Sequence, residues 1–199
     1  AREVEVYLDT GAYADTGPRV AQKSGYRAIG PYRIPNLKID SHAVYTHTVP
    51  AGAYRGYGTS QVNWAIECQM DAIAEWLKMD PAEFRRMNLR NKGEEYAPGD
   101  TPLDGDIRQS LQAAIDGINW KAPRQPGRGK GVGIGVKDGG GTHTVSVGTV
   151  RLYSDGSVSV HAGSVEIGQG ARTVLAQIVA TELGVPFHQV TVADLDSAT

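Results

Sequence analysis

Apolar and polar residues alternate in the first stretch, EVEVYLD at residues 3–9, placing Val4, Val6 and Leu8 on one face with the period of a strand. TGAYADTGP then breaks the pattern with turn residues, and a second extended stretch is expected over Ser41 to Val49, after PYRIPN. The spacing changes to a helical one at Ser60 or Gln61 and holds to about Lys78. Val62, Ile66, Ile73 and Leu77, flanked by Ala65, Met70 and Trp76, are expected on its buried face, with Glu67, Asp71, Glu75 and Lys78 on the other. Asp80-Pro81-Ala82-Glu83 offers an N-cap, a proline for the first helical position and a glutamate three residues on, so a second helix is expected to run toward Gly93. A third runs from Asp106, with Gln109 in the capping-box position, to Gly117, burying Ile107, Leu111, Ile115 and Ile118.

Beyond residue 120 the pattern changes. KAPRQPGRGK, residues 121–130, reads as a solvated linker. GVGIGVKDGGG leads into THTVSVGTVRLYSDGSVSVHAG, two strands joined at an Asp155-Gly156 turn. SVEIGQGARTVLAQIVATELGVP then opens a helix carrying Leu175, Ile178, Val179 and Leu183, capped by Gly184 and stopped by Pro186. HQVTVADLD is the last strand expected. This order implies an α+β fold of mixed sheets with packed helices, in a first part (1–120), the linker (121–130) and a second part (131–199).

Composition narrows the function classes. A chain of 199 residues with 40% hydrophobic content can bury a proper core. A net charge of −2 gives no basic footprint for nucleic acid. Cys68 is the sole cysteine, which excludes an internal disulfide and any Cys cluster for zinc or iron–sulfur within these residues. No apolar run is long enough to cross a membrane, and a cytoplasmic location is expected. The chain starts inside one strand pattern and stops just after another, so it reads as a piece of a longer polypeptide.

Three glycine-rich loops compete for chemistry. GAYRGYGTSQ, residues 52–61, sets two tyrosines and an arginine among glycines directly before a helix. It is either a tight turn with core tyrosines or a rigid loop laying backbone against a flat ligand. Residues 129–141 have neither the dinucleotide nor the P-loop spacing. Gly168-Gln169-Gly170 sits at a helix start, where backbone N–H groups and the helix dipole favour an anion; a plain helix start with a solvent-facing Gln169 fits it as well. The histidines at 42, 47, 143, 161 and 188 lack metal-ligand spacing, Glu166 reads as a solvated or capping carboxylate, and Cys68 as a structural thiol.

Taken together and in order, PYRIPN, GAYRGYGTSQ with its amphipathic helix, MDPAEFRRMNL, YSDGSV and SVEIGQGARTVLAQIVATELGV make the chain one that resembles the molybdopterin-binding large subunit of the xanthine dehydrogenase and aldehyde oxidase family. The resemblance covers essentially the whole chain. It implies that Arg55 presents its backbone N–H beside a molybdenum centre, with Gly56 next to it against the cofactor, and that Gln169 with Gly168 and Gly170 contacts the pterin. Tyr57 then packs on a planar substrate beside Tyr54; the family more often has phenylalanine at both places. Counting nine residues back from Tyr32 gives Lys23 where xanthine-oxidising members carry an arginine, a point charge in place of a planar fork.

The resemblance also implies the reaction. An oxygen derived from water is added to a heteroaromatic or aldehyde substrate, with xanthine or another purine favoured, while electrons leave through 2Fe–2S clusters and FAD on partner domains or subunits of a dimeric enzyme. No residue here ligates the metal directly. The general-base glutamate is expected after residue 199 and further cofactor contacts before residue 1, so the segment holds no catalytic residue. A non-catalytic pterin-binding or assembly module, and a plain interaction domain, are the rival readings.

Overall fold

The computed structural model describes residues 1–123, 125–137 and 146–194. The expectations for residues 138–141 of the glycine loop, for THTV with His143 at the start of the hairpin's first strand, and for the end of the last strand lie outside these. The chain divides into two compact units, Ala1–Asp138 and Gly139–Thr199.

The first unit opens with strand β1 (Arg2–Gly11), helix α1 (Gly17–Arg27) and strand β2 (Leu37–Tyr45). β1 and β2 pair in parallel, with Val4 opposite Ile39 and Val6 opposite Ser41, and α1 is the crossover that parallel pairing requires. Sequence periodicity does not show α1. Its buried residues are Gly17, Val20, Ala21, Ser24, Gly25 and Arg27, mostly too small to form an apolar stripe. That smallness serves close approach: a Cβ on Gly25 would stand 2.8 Å from the Ser41 Cβ. Ser41 also donates its hydroxyl to the Ala21 carbonyl at 2.7 Å. β2 begins four residues before the extended stretch expected at Ser41, because its register is set by β1.

Helices α2 (Thr59–Trp76), α3 (Pro81–Asn88) and α4 (Ile107–Gly117) complete the unit. Asp80 caps α3 as expected, accepting from Ala82 N and Glu83 N, and Asp106 caps α4 by accepting from Gln109 N. Tyr32, Ile66, Met70, Leu89 and Leu111 form the core, with Phe84, Ile107, Ile115, Val132 and Ile134 packed around it. The α2 face is rotated from the expected one. Val62, Ile66, Met70 and Ala74 are buried, Ile73 is half-buried, and Trp76 and Leu77 are exposed at 80% and 44%. Trp76→Ala should therefore move the denaturation midpoint by the equivalent of less than about 1 kcal/mol; a loss typical of a core tryptophan would return Trp76 to the buried face.

A second departure from expectation concerns Glu67. It does not face solvent. Its carboxylate accepts from Tyr32 Oη at 2.6 Å, from Arg85 Nε at 2.7 Å and from Ile134 N at 2.9 Å. Arg85, the first arginine of MDPAEFRRMNL, is wholly buried; it also donates to the carbonyls of Pro81 and Glu67 and pairs with Asp71 at 2.7 Å. The glycine-rich stretch and the expected linker are anchored likewise. Val132 and Ile134 of the glycine-rich stretch pack on the core, and Lys130 Nζ donates to the carbonyls of Asn119, Trp120 and Ala122.

In the second unit β3 (Gly148–Leu152) and β4 (Val158–Ala162) form an antiparallel hairpin whose turn has Gly156 at φ 83°. Helix α5 (Ala171–Leu183) then crosses to β5 (Val190–Val192), parallel to β4, after a 3-10 turn at Phe187–Gln189. Val158, Val160, Ala176, Ala180 and Val190 are the core. Of the α5 residues expected inside, Val179 packs on this core and Leu175 is half-buried, while Ile178 and Leu183 are about half exposed, because the alanines hold the inward line. The fold is thus the expected α+β mixture: helices packed on a two-stranded parallel sheet in one unit and on a three-stranded mixed sheet in the other.

Candidate functional site

α1, the helix the sequence pattern hides, seats the Tyr54–Gly58 loop. Thr16, at its N-terminus, accepts at Oγ1 from Ala53 N at 2.9 Å. Ser24, fully buried in its middle, donates from Oγ to the Gly58 carbonyl at 3.1 Å. Between these anchors the chain closes two turns, Tyr57 N to Tyr54 O at 2.9 Å and Thr59 N to Gly56 O at 3.0 Å.

Three successive residues then take left-handed torsions: Gly56 at φ 104°, Tyr57 at 52° and Gly58 at 83°. For a residue as bulky as tyrosine this conformation is a true outlier, and such strain persists only where the surroundings impose it. Gly58 explains the imposition. A Cβ there would lie 2.2 Å from Ser24 Oγ and 2.8 Å from the Val20 carbonyl oxygen. The loop lies flat against α1 because position 58 has no side chain.

α2 starts at Gly58 with no side-chain cap and no acidic residue in its first turn, so nothing on that turn offsets the positive end of the helix. The buried Thr59 hydroxyl there has no hydrogen-bond partner among the described residues. Tyr54 and Arg55 are exposed, Gly56 and Tyr57 half-buried. Lys23, half-buried on α1 beside Ser24, has its Nζ 6.0 Å from the Tyr26 ring centroid. Tyr54, Arg55, Gly56 and Tyr57 thus lie on the loop that α1 seats, and Lys23 lies on α1 itself, one residue before the Ser24 that holds Gly58.

The Gly168–Gly170 loop belongs to the second unit. Gly168 and Gly170 are at φ 93° and 81°, and Gly170 is the N-cap of α5. The N–H groups expected to await an anion are already taken. Glu166 Oε1 accepts from Gly168 N at 2.7 Å and Gly170 N at 3.0 Å. The Gly170 N–H, with those of Gly168 and Arg172, holds the Glu166 carboxyl below its usual range. Glu166 is the capping carboxylate its position suggested. Gln169 folds back on its own loop: Oε1 accepts from Ile167 N at 2.6 Å and Nε2 donates to Val165 O at 2.7 Å. Neither contact had a sequence signal, since both depend on the side-chain rotamer.

The other candidates have ordinary surroundings. His42 stacks on Tyr7 at 4.8 Å, His161 hydrogen-bonds Ser159, and Cys68 lies exposed on α2. Among the described residues no helix is long and apolar enough to cross a membrane.

Two family matches account for most of the chain. Residues 1–89 and residues 108–199 each match a molybdopterin cofactor-binding domain. Among curated proteins, one of the subunits of a probable xanthine dehydrogenase of Bacillus subtilis (strain 168) is 35% identical, aligned over all of this chain and 28% of its own length. The gamma subunit of a 6-hydroxypseudooxynicotine dehydrogenase complex of Paenarthrobacter nicotinovorans is 32% identical over 97% of this chain and 26% of its own. The crystal structure of quinoline 2-oxidoreductase from Pseudomonas putida 86 superposes with a TM-score of 0.69 at 30% identity, covering 94% of this chain and 27% of that one. The chain therefore spans a little over a quarter of the length of these relatives, and it belongs to the molybdopterin cofactor-binding domains of the xanthine dehydrogenase and aldehyde oxidoreductase family.

Proposed function

We propose that these residues form part of the cofactor cradle and substrate wall of a molybdenum hydroxylase. Arg55 and Gly56 are residues that contact the molybdopterin, and so are Gly168, Gln169 and Gly170. Tyr57 and Tyr54 face a planar substrate, and Lys23 adds a positive charge nearby. The start of α2 has no acid to repel an anionic pterin phosphate; at the start of α5 Glu166 already holds the Gly168 and Gly170 N–H groups, so that loop's polar contact is the Gln169 amide, which both donates and accepts. When bound, the molybdenum would supply the redox chemistry that lets a carbon be hydroxylated with oxygen from water.

The substrate is a heteroaromatic ring or an aldehyde, with a purine favoured. Similarity to proteins named for xanthine, quinoline and a nicotine-derived compound supports the heteroaromatic class. The general base and further cofactor contacts come from outside these residues, and electrons pass to 2Fe–2S and FAD groups on partner domains or subunits of a dimeric, cytoplasmic enzyme.

The observation that carries this reading is Tyr57, held at φ 52° between two glycines on a loop anchored to α1. In the full enzyme Tyr57→Ala should lower kcat/KM about tenfold or more on planar substrates, while Tyr57→Phe should stay within about threefold or change substrate preference, because the ring face survives loss of the hydroxyl. Steady-state kinetics on purines, other azaheterocycles and aldehydes make the test. Equal activity of wild type and Tyr57→Ala on every substrate would refute the stacking role. Molybdenum retained without turnover of any substrate would favour a pterin-binding module instead of an enzyme.

A further inference from the structure

α5 opens at Gly170, which has no side chain to cap it, yet its first N–H groups find an acceptor four residues upstream. Glu166 spans the loop, with Oε1 on Gly168 N and Gly170 N and Oε2 on Arg172 N at 3.4 Å. The guanidinium of Arg172 does not compete for this carboxylate; it pairs with Asp194 at 2.6 Å. Glu166 is thus committed to backbone.

Gln169 sits between the gripped residues but is held by other atoms. Its amide closes on Ile167 N and Val165 O, an adjacent donor and acceptor pair. The amide edge of a pterin ring presents the same pair, a ring N–H beside a carbonyl. Exchange of one for the other keeps constant the number of hydrogen bonds that the Gln169 amide makes, on a loop where Val165 and Ile167 are exposed, so the swap has a small net cost. It also takes the Gln169 side chain away from Ile167 N and Val165 O, while the Glu166 grip on Gly168 N and Gly170 N does not involve Gln169 and stays in place.

From this geometry we infer that Glu166 is the positioning residue for Gln169: it holds the Gly168–Gly170 backbone in place while the Gln169 amide leaves its own loop for the cofactor. The inference rests on the reading that Gln169 contacts the pterin. A helix cap that served α5 alone would affect stability and leave cofactor retention untouched.

The test uses the full-length subunit in its assembled enzyme, as wild type, Glu166→Ala, Glu166→Gln and Gln169→Ala. Molybdenum and pterin content are measured on each, with thermal stability, and amide hydrogen exchange across residues 164–172 is measured on protein prepared without molybdate. Glu166→Ala should speed exchange at Gly168 and Gly170 about tenfold and lower retained molybdenum several-fold, beside the modest loss of stability that removing a helix cap brings. Glu166→Gln, which keeps an acceptor oxygen, should recover part of both. Gln169→Ala should lose molybdenum while the Gly170 amide stays protected. Wild-type molybdenum content in Glu166→Ala alongside loss in Gln169→Ala would overturn the positioning role, as would unchanged exchange. Full molybdenum content in Gln169→Ala would instead overturn the reading of Gln169 as a cofactor contact, and with it the role of Glu166 toward that contact. Should Glu166→Ala not fold, Glu166→Gln carries the same comparison.

Discussion

Glu67→Ala should destabilise the protein by about 3 kcal/mol, a large part of the total that holds a domain folded. The reason lies in what the substitution strands. Arg85 is wholly buried and Glu67 only 13% exposed at its side chain, so the pair is shielded from water on both sides. Removing the carboxylate leaves a guanidinium in the core with its Nε unmet, and takes the acceptor from the Tyr32 hydroxyl and the Ile134 amide at once. The expected loss is at the low end for breaking a buried ion pair, because Asp71 and two carbonyls still hold Arg85. Asp71→Ala makes the control. Its side chain is 59% exposed, and screening by solvent should keep its effect below about 1 kcal/mol. Urea denaturation of the two variants, read in the first unit, decides the matter. Similar midpoints for both would mean that Glu67 is not the organising contact.

Gly58→Ala should be nearly as costly, at about 3 kcal/mol, for a different reason. At φ 83° an alanine is strained whatever the space around it, and here there is none. The new methyl would lie 2.8 Å from the Val20 carbonyl oxygen, backbone that cannot swing aside, and 2.2 Å from Ser24 Oγ. Relief would require the loop to lift from α1 and the Ser24 bond to the Gly58 carbonyl to break. Loop and stability should therefore fail together, with cofactor content falling alongside the denaturation midpoint. Gly93→Ala gives the contrast, since that glycine also has positive φ but faces open space. A Gly58→Ala protein with native stability and cofactor content would show that the loop need not lie against α1.

The sequence was most informative where local chemistry acts alone. Asp80 with Pro81, Asp106 with Gln109, the Asp155-Gly156 turn and the Gly184 stop each form within a few residues, and each sits where pattern reading put it. Elements defined by distant partners were harder to read. α1 buries glycine, alanine and serine because it must lie close to β2 and to the Gly58 loop, and small residues leave no hydrophobic period. Glu67 was assigned to solvent by its charge. Only the fold shows that Arg85, Tyr32 and Ile134, 18, 35 and 67 residues away, converge on it. At the Gly168–Gly170 loop the glycines marked the site, but whether its N–H groups are open or held by Glu166 is a matter of side-chain rotamer.

The most direct test of the central claim is the molybdenum and pterin content of the full-length protein that carries these residues, purified from cells supplied with molybdate. The account predicts about one molybdenum and one pterin per chain, and a clear drop in both when Gln169 is replaced by alanine in a protein whose cofactor-free form is as stable as that of the wild type. A well-folded full-length protein that holds neither molybdenum nor pterin would contradict it.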